Sequence, residues 1–337
     1  MVSFFVPNFK YLRPYVIICQ TGGAMNKNTK KKIFKSTALA LALTAAISAG
    51  SNMKKDGRYN HAYNNAIVSE TNIDGLGSYV LQGGCSDGTY NYLTAYDNSK
   101  RGNSIIILLD QNNNFIRAID TKSRNHIGGI TYDYDHNLIW VSDSHGSITA
   151  FNRDDLLEGI IKPIYYRVDM AGEELKNDSG ESSVACLTYA QGNLYAASFT
   201  TWRDANLKKV PVDNEGCPNL DDAKTVKFVH YAQGLEFCVI NETVYLIVST
   251  SHHVCYDSIL KFYKYDESIG DYSKEWYKFF RMPPMAEGIF LDSENNINIV
   301  NESNARKYNI FANYFYSDAS DITELDSKKL TNTYKYW

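Results

Sequence analysis

The stretch GGITYDYDHNLIWVSD, residues 128–143, consists of two short apolar segments joined by the polar turn Asp135-His136-Asn137. Apolar and β-branched runs that flank a turn rich in Asn and Asp are typical of a β-hairpin. The same pattern returns at residues 82–97, 185–199, 233–250 and 287–303. One structural unit is therefore repeated along the chain, and this repetition decides the fold.

The copies align on a small residue that begins the first strand of each. The intervals between successive small residues are 46, 57, 48 and 54 positions. This spacing is close to the 40–50 residues of a four-stranded propeller blade, extended by loop insertions. The aligned small residues are Gly83, Gly129, Cys186, Gly234 and Gly288.

Further strands complete each repeat and favour an all-β chain, a single β-propeller of about five four-stranded blades. Third strands are predicted at residues 104–110, 147–152 and 258–265, and weaker fourth strands at 164–168 and 225–229. Beyond the N-terminal 50 residues, helical periodicity is confined to residues 153–159 and a short stretch after 320. A β-sandwich would lack a repeat near 50 residues. A sixth blade remains an alternative, but we expect residues 66–71 to close the ring by joining the last blade.

The N-terminal region predicts export. Lysines at positions 27–35 precede the apolar run TALALALTAAI, which ends at Ile47 before the small residues Ser48 to Gly50. This order is typical of a secretory signal peptide of the Gram-positive type. We predict an upstream extension at 1–24, a signal peptide at 25–50, and the propeller at 51–337 with no membrane association after cleavage.

Composition narrows the classes of function. The net charge of −4 gives no footprint for nucleic acid. Of six cysteines, the five at 85, 186, 217, 238 and 255 follow the predicted signal peptide, and none has zinc-finger spacing. They form either two disulfides and one free thiol or, as a large core favours, buried thiols. No phosphate-binding loop, dinucleotide fingerprint or serine-hydrolase elbow is present.

Candidate site residues lie where inner strands meet at the channel mouth, since loops from every blade converge there. Alignment places Gln82, Gln233 and Glu287 at one level, and it places the second-strand ends, including Asp143 and Glu302, at another level nearby. Two carboxylates on adjacent strands can share a cation or titrate at separated pKa values. The full set is Gln82, His126, Asp143, Gln233, His252, Glu287, Glu302 and Arg306, with Glu287 and Glu302 as candidate metal ligands.

Each candidate also has a structural interpretation. Glu287 and Glu302 either hold calcium or accept hydrogen bonds and are neutralised by Arg306. His126 either binds a ligand or makes a hydrogen bond at a blade junction. Only one of His252 and His253 can face the channel, because neighbours on a strand point in opposite directions. Trp202 either stacks on a sugar or caps the channel, or it packs down onto the protein.

Two resemblances accompany these residues. The stretch MPPMAEGIFLDSENNINIVNESNARKY (282–308), together with HIGGITYD (126–133), resembles a group of secreted bacterial propeller proteins, which implies the fold and export. More distantly, the Glu287-Gly288 start is similar to the opening strand of gluconolactonase and regucalcin-like propellers. In those proteins the opening Glu binds calcium in the central channel, together with an Asn and an Asp from other blades.

Two functional hypotheses follow. The first is an exported propeller that binds a small molecule or a protein partner at its channel mouth. The second is a metal-dependent lactonase or esterase-like hydrolase, in which Glu287 and Glu302 hold calcium and polarise a carbonyl. Three or more convergent oxygen ligands would favour the enzyme.

Overall fold

A computed structural model of the chain describes residues 57–240, 242–254, 256–266, 271–308 and 320–332. The predicted extension and signal peptide lie outside the described residues. The described part begins with helix α1 (Gly57–Ala66) and strand β1 (Ile67–Thr71). No described helix is long and apolar enough to cross a bilayer.

The next sixteen strands form four antiparallel sheets, each made of four consecutive strands. Blade 1 contains β2 (Tyr79–Ser86), β3 (Tyr90–Asp97), β4 (Ile105–Asp110) and β5 (Phe115–Asp120). Blade 2 contains β6 (Ile127–Asp133), β7 (Leu138–Asp143), β8 (Ser147–Asn152) and β9 (Pro163–Asp169). Blade 3 contains β10 (Cys186–Ala190), β11 (Asn193–Ala197), β12 (Ala205–Pro211) and β13 (Lys224–Phe228). Blade 4 contains β14 (Ala232–Ile240), β15 (Thr243–Thr250), β16 (Ser258–Asp266) and β17 (Asp271–Met282).

The fifth blade is assembled from both ends of the described chain. Strands β18 (Ala286–Leu291), β19 (Ile297–Asn301) and β20 (Ile322–Leu325) are joined by β1 as the outermost strand. Strand β1 runs antiparallel to β20, and its Thr71 pairs with Ile322. The predicted five-bladed propeller and its closing strand are thus confirmed, and the six-bladed and sandwich alternatives are excluded.

The apolar core is divided among the seams between blades. The described residues form five buried clusters, and each cluster joins two neighbouring blades. Every seam contains a large buried ring, which supplies much of its buried apolar surface. These rings are Tyr92 (blades 1 and 2), Trp140 (2 and 3), Tyr263 (3 and 4), Phe262 (4 and 5) and Phe290 (5 and 1).

Short helices lie outside the sheets. Helix α2 (Arg153–Leu157) begins at Asn152, whose side chain accepts hydrogen bonds from the amides of Asp154 and Asp155, and α3 is Ser327–Asn332. Both fall in the segments that the sequence predicts. Helix α1 was not predicted, because Gly and repeated Asn disfavour a helix in isolation. It forms because Tyr63 and Ala66 are buried in the seam between blades 4 and 5.

The cysteines agree with the thiol alternative at the described positions. Cys85, Cys186 and Cys238 are buried and free, and Cys217 is free and partly buried. Cys255 lies outside the described residues. Burial raises the pKa of the Cys186 and Cys238 thiols, which keeps them protonated and unreactive.

Candidate functional site

A backbone irregularity recurs in the inner strands of blades 1, 2, 4 and 5. The pairing register shifts between Leu81 and Gly84 and, at the matching place, between Ala286 and Ile289. Equivalent shifts occur in β6 and β14. Such bulges bend a strand and re-aim its side chains. The residues at this level of the ring, including the one that precedes β10, are Gln82, Gly128, Ala185, Gln233 and Glu287.

The residue that follows each of these must be small because the inner strands almost touch. A Cβ atom added to Gly288 would lie 2.6 Å from the carbonyl oxygen of Gln82 and 2.7 Å from the Cα of Gly83. A Cβ on Gly234 would lie 2.8 Å from the Glu287 carbonyl oxygen. These contacts confirm that the aligned small residues occupy equivalent places around one axis.

Hydroxyl side chains on the second strands support the bulges. Thr94 Oγ1 accepts a hydrogen bond from the Gly83 amide at 2.9 Å and donates one to the Gly128 carbonyl at 2.6 Å. Ser142 Oγ accepts from the Gly129 amide in the same way, at 2.8 Å. The inner backbone therefore remains satisfied and rigid where it bends, which fixes the side chains at the channel mouth.

A cavity of about 870 Å³ opens at this mouth, and all five blades contribute to its wall. Its volume lies in the range of small-molecule sites. Five of the predicted site residues line this cavity. The loop after β19 adds two side chains that were not predicted, Lys307 and Tyr308. The lining residues include Gln82, Tyr96, His126, Phe199, Gln233, Glu287, Glu302, Lys307 and Tyr308.

Glu287 and Glu302 form a buried carboxyl pair in the cavity wall, with exposed fractions of 6% and 7%. The amide of Gln233 donates to Glu287 Oε1, and that of Gln82 donates to Glu302 Oε1, both at 3.3 Å. Burial and the neighbouring Glu302 raise the pKa of Glu287 well above its ordinary value. Burial raises the pKa of Glu302 to about 7. The two groups therefore titrate as a pair and share a proton at neutral pH.

His126 is linked to this pair through one amide. The Gln82 amide nitrogen also donates to the Leu81 carbonyl at 2.7 Å, which fixes its orientation. Its Oε1 then accepts a 2.6 Å hydrogen bond from His126 Nε2. Burial, and secondarily Lys307, lower the pKa of His126, so its ring is neutral at pH 7 and Nδ1 is left as an acceptor.

Lys307 balances the charge of the carboxyl pair. Its Nζ donates to the Tyr96 hydroxyl at 3.1 Å, and that hydroxyl donates to Glu302 Oε1 at 3.3 Å. The same Nζ lies 4.3 Å from the centre of the Tyr308 ring, a cation–π distance. One shared proton and one lysine leave this part of the mouth close to neutral.

Three predicted site residues lie away from the cavity. Asp143 accepts hydrogen bonds from the His145 and Ser147 amides at 2.9 and 3.1 Å, so it stabilises the turn after β7. His252 stacks on Tyr231, with ring centres 4.3 Å apart. Arg306 is exposed and is not among the cavity-lining residues. The cation that faces Glu302 is therefore the adjacent Lys307.

The alignment of the second strands needs a correction of one residue. Asn301 pairs with Ala286 as Asp143 pairs with Ile127, so Asn301 occupies the place that the sequence assigned to Glu302. Glu302 lies one position further, and its amide donates to the Met285 carbonyl at 3.0 Å. That extra position turns its side chain into the cavity, whereas Asp143 turns toward its own loop.

Sequence reasoning missed Tyr96, Lys307 and Tyr308. The signal for Tyr96 was the alternation along β3, since it shares a face with Thr94. Lys307 and Tyr308 follow a short 3-10 helix (Glu302–Asn304), and no strand periodicity continues into that loop. A further carboxyl, Glu236, lies deeper along β14 and accepts a 2.9 Å hydrogen bond from Thr188. Burial raises the pKa of Glu236 to about 7.

A metal would have to rely on few charged ligands. Within the described ranges, no group of three or more His, Cys, Asp or Glu side chains is arranged to hold a metal ion. Any cation beside Glu287 and Glu302 would need neutral oxygen atoms, such as Gln233 and the Tyr96 hydroxyl, to complete its shell. Calcium accepts such ligands, but Lys307 would repel it.

Comparison with known proteins finds distant structural similarity only. No family model matches the sequence, and no curated protein matches it either. A chain of the nidogen/laminin complex is similar at 12% identity and a TM-score of 0.43, over 66% of this chain and 73% of that one. The WD40 propeller domain of Doa1 is similar at 8% identity and a TM-score of 0.37, over 71% and 94%. The WD40 domain of Toxoplasma gondii coronin is similar at 8% and 0.35, over 72% and 53%.

Proposed function

We propose that this protein is an exported binding protein that takes a small polar molecule into the cavity at the channel mouth. One observation carries the proposal: two buried carboxyl groups face a cavity of about 870 Å³ that all five blades line. A buried carboxyl pair is costly to fold around, so its place in a cavity wall supports a role in recognition. The basic and apolar segment at 25–50 supports export.

The chemistry of the wall favours a ligand that both donates and accepts hydrogen bonds. A carboxyl pair that shares one proton offers a donor and acceptors together, and the amides of Gln82 and Gln233 stand beside it. His126 adds an acceptor at Nδ1. Because Lys307 offsets the remaining negative charge, a neutral ligand fits this wall better than an ion does.

Thermal shift of the full chain with neutral sugars, polyols, amino acids and amines tests this function. A bound compound stabilises the folded state by mass action, so we expect neutral hydroxyl compounds to raise the Tm. Gln82→Ala removes the amide that joins His126 to Glu302 and should abolish the rise. The exposed Gln111→Ala is the control. An equal rise in wild type and Gln82→Ala would reject binding in this cavity.

A metal-dependent hydrolase remains the second candidate because Glu287 and Glu302 stand side by side. It requires a resident cation, and calcium would then raise the Tm while a chelator would lower it. Glu287→Gln should remove that response. A Tm that is the same in calcium and in chelator rejects the hydrolase and leaves the binding function intact.

A further inference from the structure

An aromatic row leads outward from the cavity along blades 3 and 4. It consists of Phe199, Tyr231, His252 and Tyr256. Phe199 lines the cavity, and its ring centre lies 6.3 Å from that of Tyr231. Tyr231 and His252 stack at 4.3 Å, and His252 and Tyr256 lie nearly parallel, at 6° and 6.0 Å. His252 and Tyr256 are exposed, Tyr256 by 43%.

The backbone holds this row in place. The Tyr231 amide donates to the Thr200 carbonyl at 2.8 Å, and the Ser251 amide donates to the Tyr231 carbonyl at 3.0 Å. Tyr231 adopts a left-handed conformation with φ of 63°, which a bulky residue rarely adopts. Three loops are thus bonded together under the rings, and this fixed arrangement lowers the entropy lost when a ligand binds.

Trp202 belongs to the same surface loop as Phe199 and is 90% exposed. Its loop is also fixed, because Asp178 accepts hydrogen bonds from the Thr201 amide at 2.7 Å and from the Thr201 hydroxyl at 2.5 Å. The Arg203 guanidinium donates to the Asn177 carbonyl at 2.6 Å. A large ring held outward on a fixed loop contributes nothing to the core, and such rings are typical of recognition surfaces.

The charge along the row is low. Partial desolvation beneath the neighbouring rings, followed by His253 and His230, lowers the pKa of His252, which favours its neutral form. Tyr and Trp rings are flat and apolar with one polar edge. Flat rings of this kind match the apolar C–H faces of pyranose sugars, while neutral amides and the shared-proton carboxyl pair in the cavity match sugar hydroxyl groups.

We propose that the aromatic row and Trp202 form the outer part of a glycan-binding site, over which a neutral oligosaccharide lies with its terminal sugar in the cavity. This inference rests on the proposed function, because it extends the same site outward. The occupant is a glycan rather than a nucleic acid, since the net charge of −4 gives no basic footprint for phosphate and the Arg203 guanidinium beside Trp202 already donates to the Asn177 carbonyl.

Native affinity electrophoresis of the full chain tests the outer site. The gels contain hydroxyethyl cellulose, barley β-glucan, glucomannan or birchwood xylan, and at least one of these should retard the protein. Trp202→Ala and Tyr256→Ala should each weaken that retardation about tenfold, in line with the loss of a stacking anchor. Phe115→Ala removes a 52% exposed ring from the outermost strand of blade 1 and should change nothing. Melting curves confirm that the variants fold.

Calorimetry with sugars of increasing length separates the outer site from the cavity. For the polysaccharide that binds, the row variants should weaken the hexasaccharide but leave the monosaccharide unchanged, whereas Gln82→Ala should weaken both. Retardation by none of the four polysaccharides, or undiminished binding in the Trp202→Ala/Tyr256→Ala double variant, overturns the glycan proposal. Neither result affects a thermal shift that depends on Gln82, so the cavity function is tested separately.

Discussion

Blades 2 and 5 have the same inner hairpin but different side chains at the channel mouth. Both inner strands bulge at the same level, and both approach the next strand closely at a glycine. At the two positions that face the cavity, blade 2 has Gly128 and Ser144, while blade 5 has Glu287 and Glu302. Repetition therefore preserves the backbone of the channel, and the differences between copies create the site.

The largest loss of stability is expected from a substitution in the inner-strand backbone that the blades share. Gly288→Ala places a Cβ within 2.7 Å of two backbone atoms of β2, which cannot move without displacing blade 1. We expect a loss of about 3 kcal/mol in the free energy of unfolding, measured in urea. Gly192→Ala is the control, because no atom lies within 4 Å of the added Cβ. Its only expected cost is about 1 kcal/mol for placing an alanine at a φ of 70°. Equal losses in the two variants would contradict close packing at the axis.

The buried carboxyl group of Glu302, which distinguishes blade 5 from blade 2, should make the stability of the protein depend on pH. The folded pKa of Glu302 is raised from 4.5 to about 7, so its contribution is fully present below pH 4.5 and is lost as pH rises to about 7. Relative to wild type, Glu302→Gln should therefore gain stability between these pH values, by up to about 3 kcal/mol. Urea titrations at several pH values measure this gain.

The control for that titration is Glu215→Gln, which removes an exposed carboxylate. Its difference from wild type should stay constant across the same pH range. Taking the difference from wild type also cancels the contribution of His126, whose lowered pKa works in the opposite direction as pH falls. A flat difference for Glu302→Gln would mean that the carboxyl group is not desolvated.

A smaller effect is expected where a hydroxyl supports the bulge. Thr94→Val keeps the shape of the side chain but leaves the Gly83 amide without its acceptor, at a cost of about 1–2 kcal/mol. Thr94→Ser keeps the hydroxyl and should recover most of that loss. If the two variants are equally destabilised, the hydroxyl is not what holds the bulge.

The features that recur in every repeat, which are the inner strands and their level in the channel, can be predicted from the sequence. The spacing of the aligned small residues, four glycines and Cys186, locates all five inner strands, and with them the level of Gln82, Gln233 and Glu287. The sequence also predicts the closing strand, since residues 66–71 have strand character and no blade of their own. Each of these predictions depends on strand periodicity and on close approach at the axis, which local sequence records directly.

Loop geometry limits the prediction of the site. Arg306 and Lys307 are adjacent and both cationic, and only the 3-10 turn after Asn301 decides which one bonds to the Tyr96 hydroxyl beside Glu302. His252 was assigned to the channel from its place after β15, but the loop carries it onto Tyr231. A loop has no periodic pattern from which the direction of its side chains could be read. A shift of one residue where the loop leaves the strand changes which side chains face the cavity, and tertiary packing determines that shift.

The closing strand makes the site a late product of folding. Ser69 Oγ donates to Glu324 at 2.6 Å across a sequence separation of 255 residues, so this contact raises the contact order of the chain. Non-local pairings of that length form slowly, because the chain loses loop entropy before the contact repays it. Glu302 bonds to Gln82 and Tyr96 across the seam between blades 5 and 1. Binding competence should consequently appear with the slowest refolding phase, after most of the secondary structure has formed.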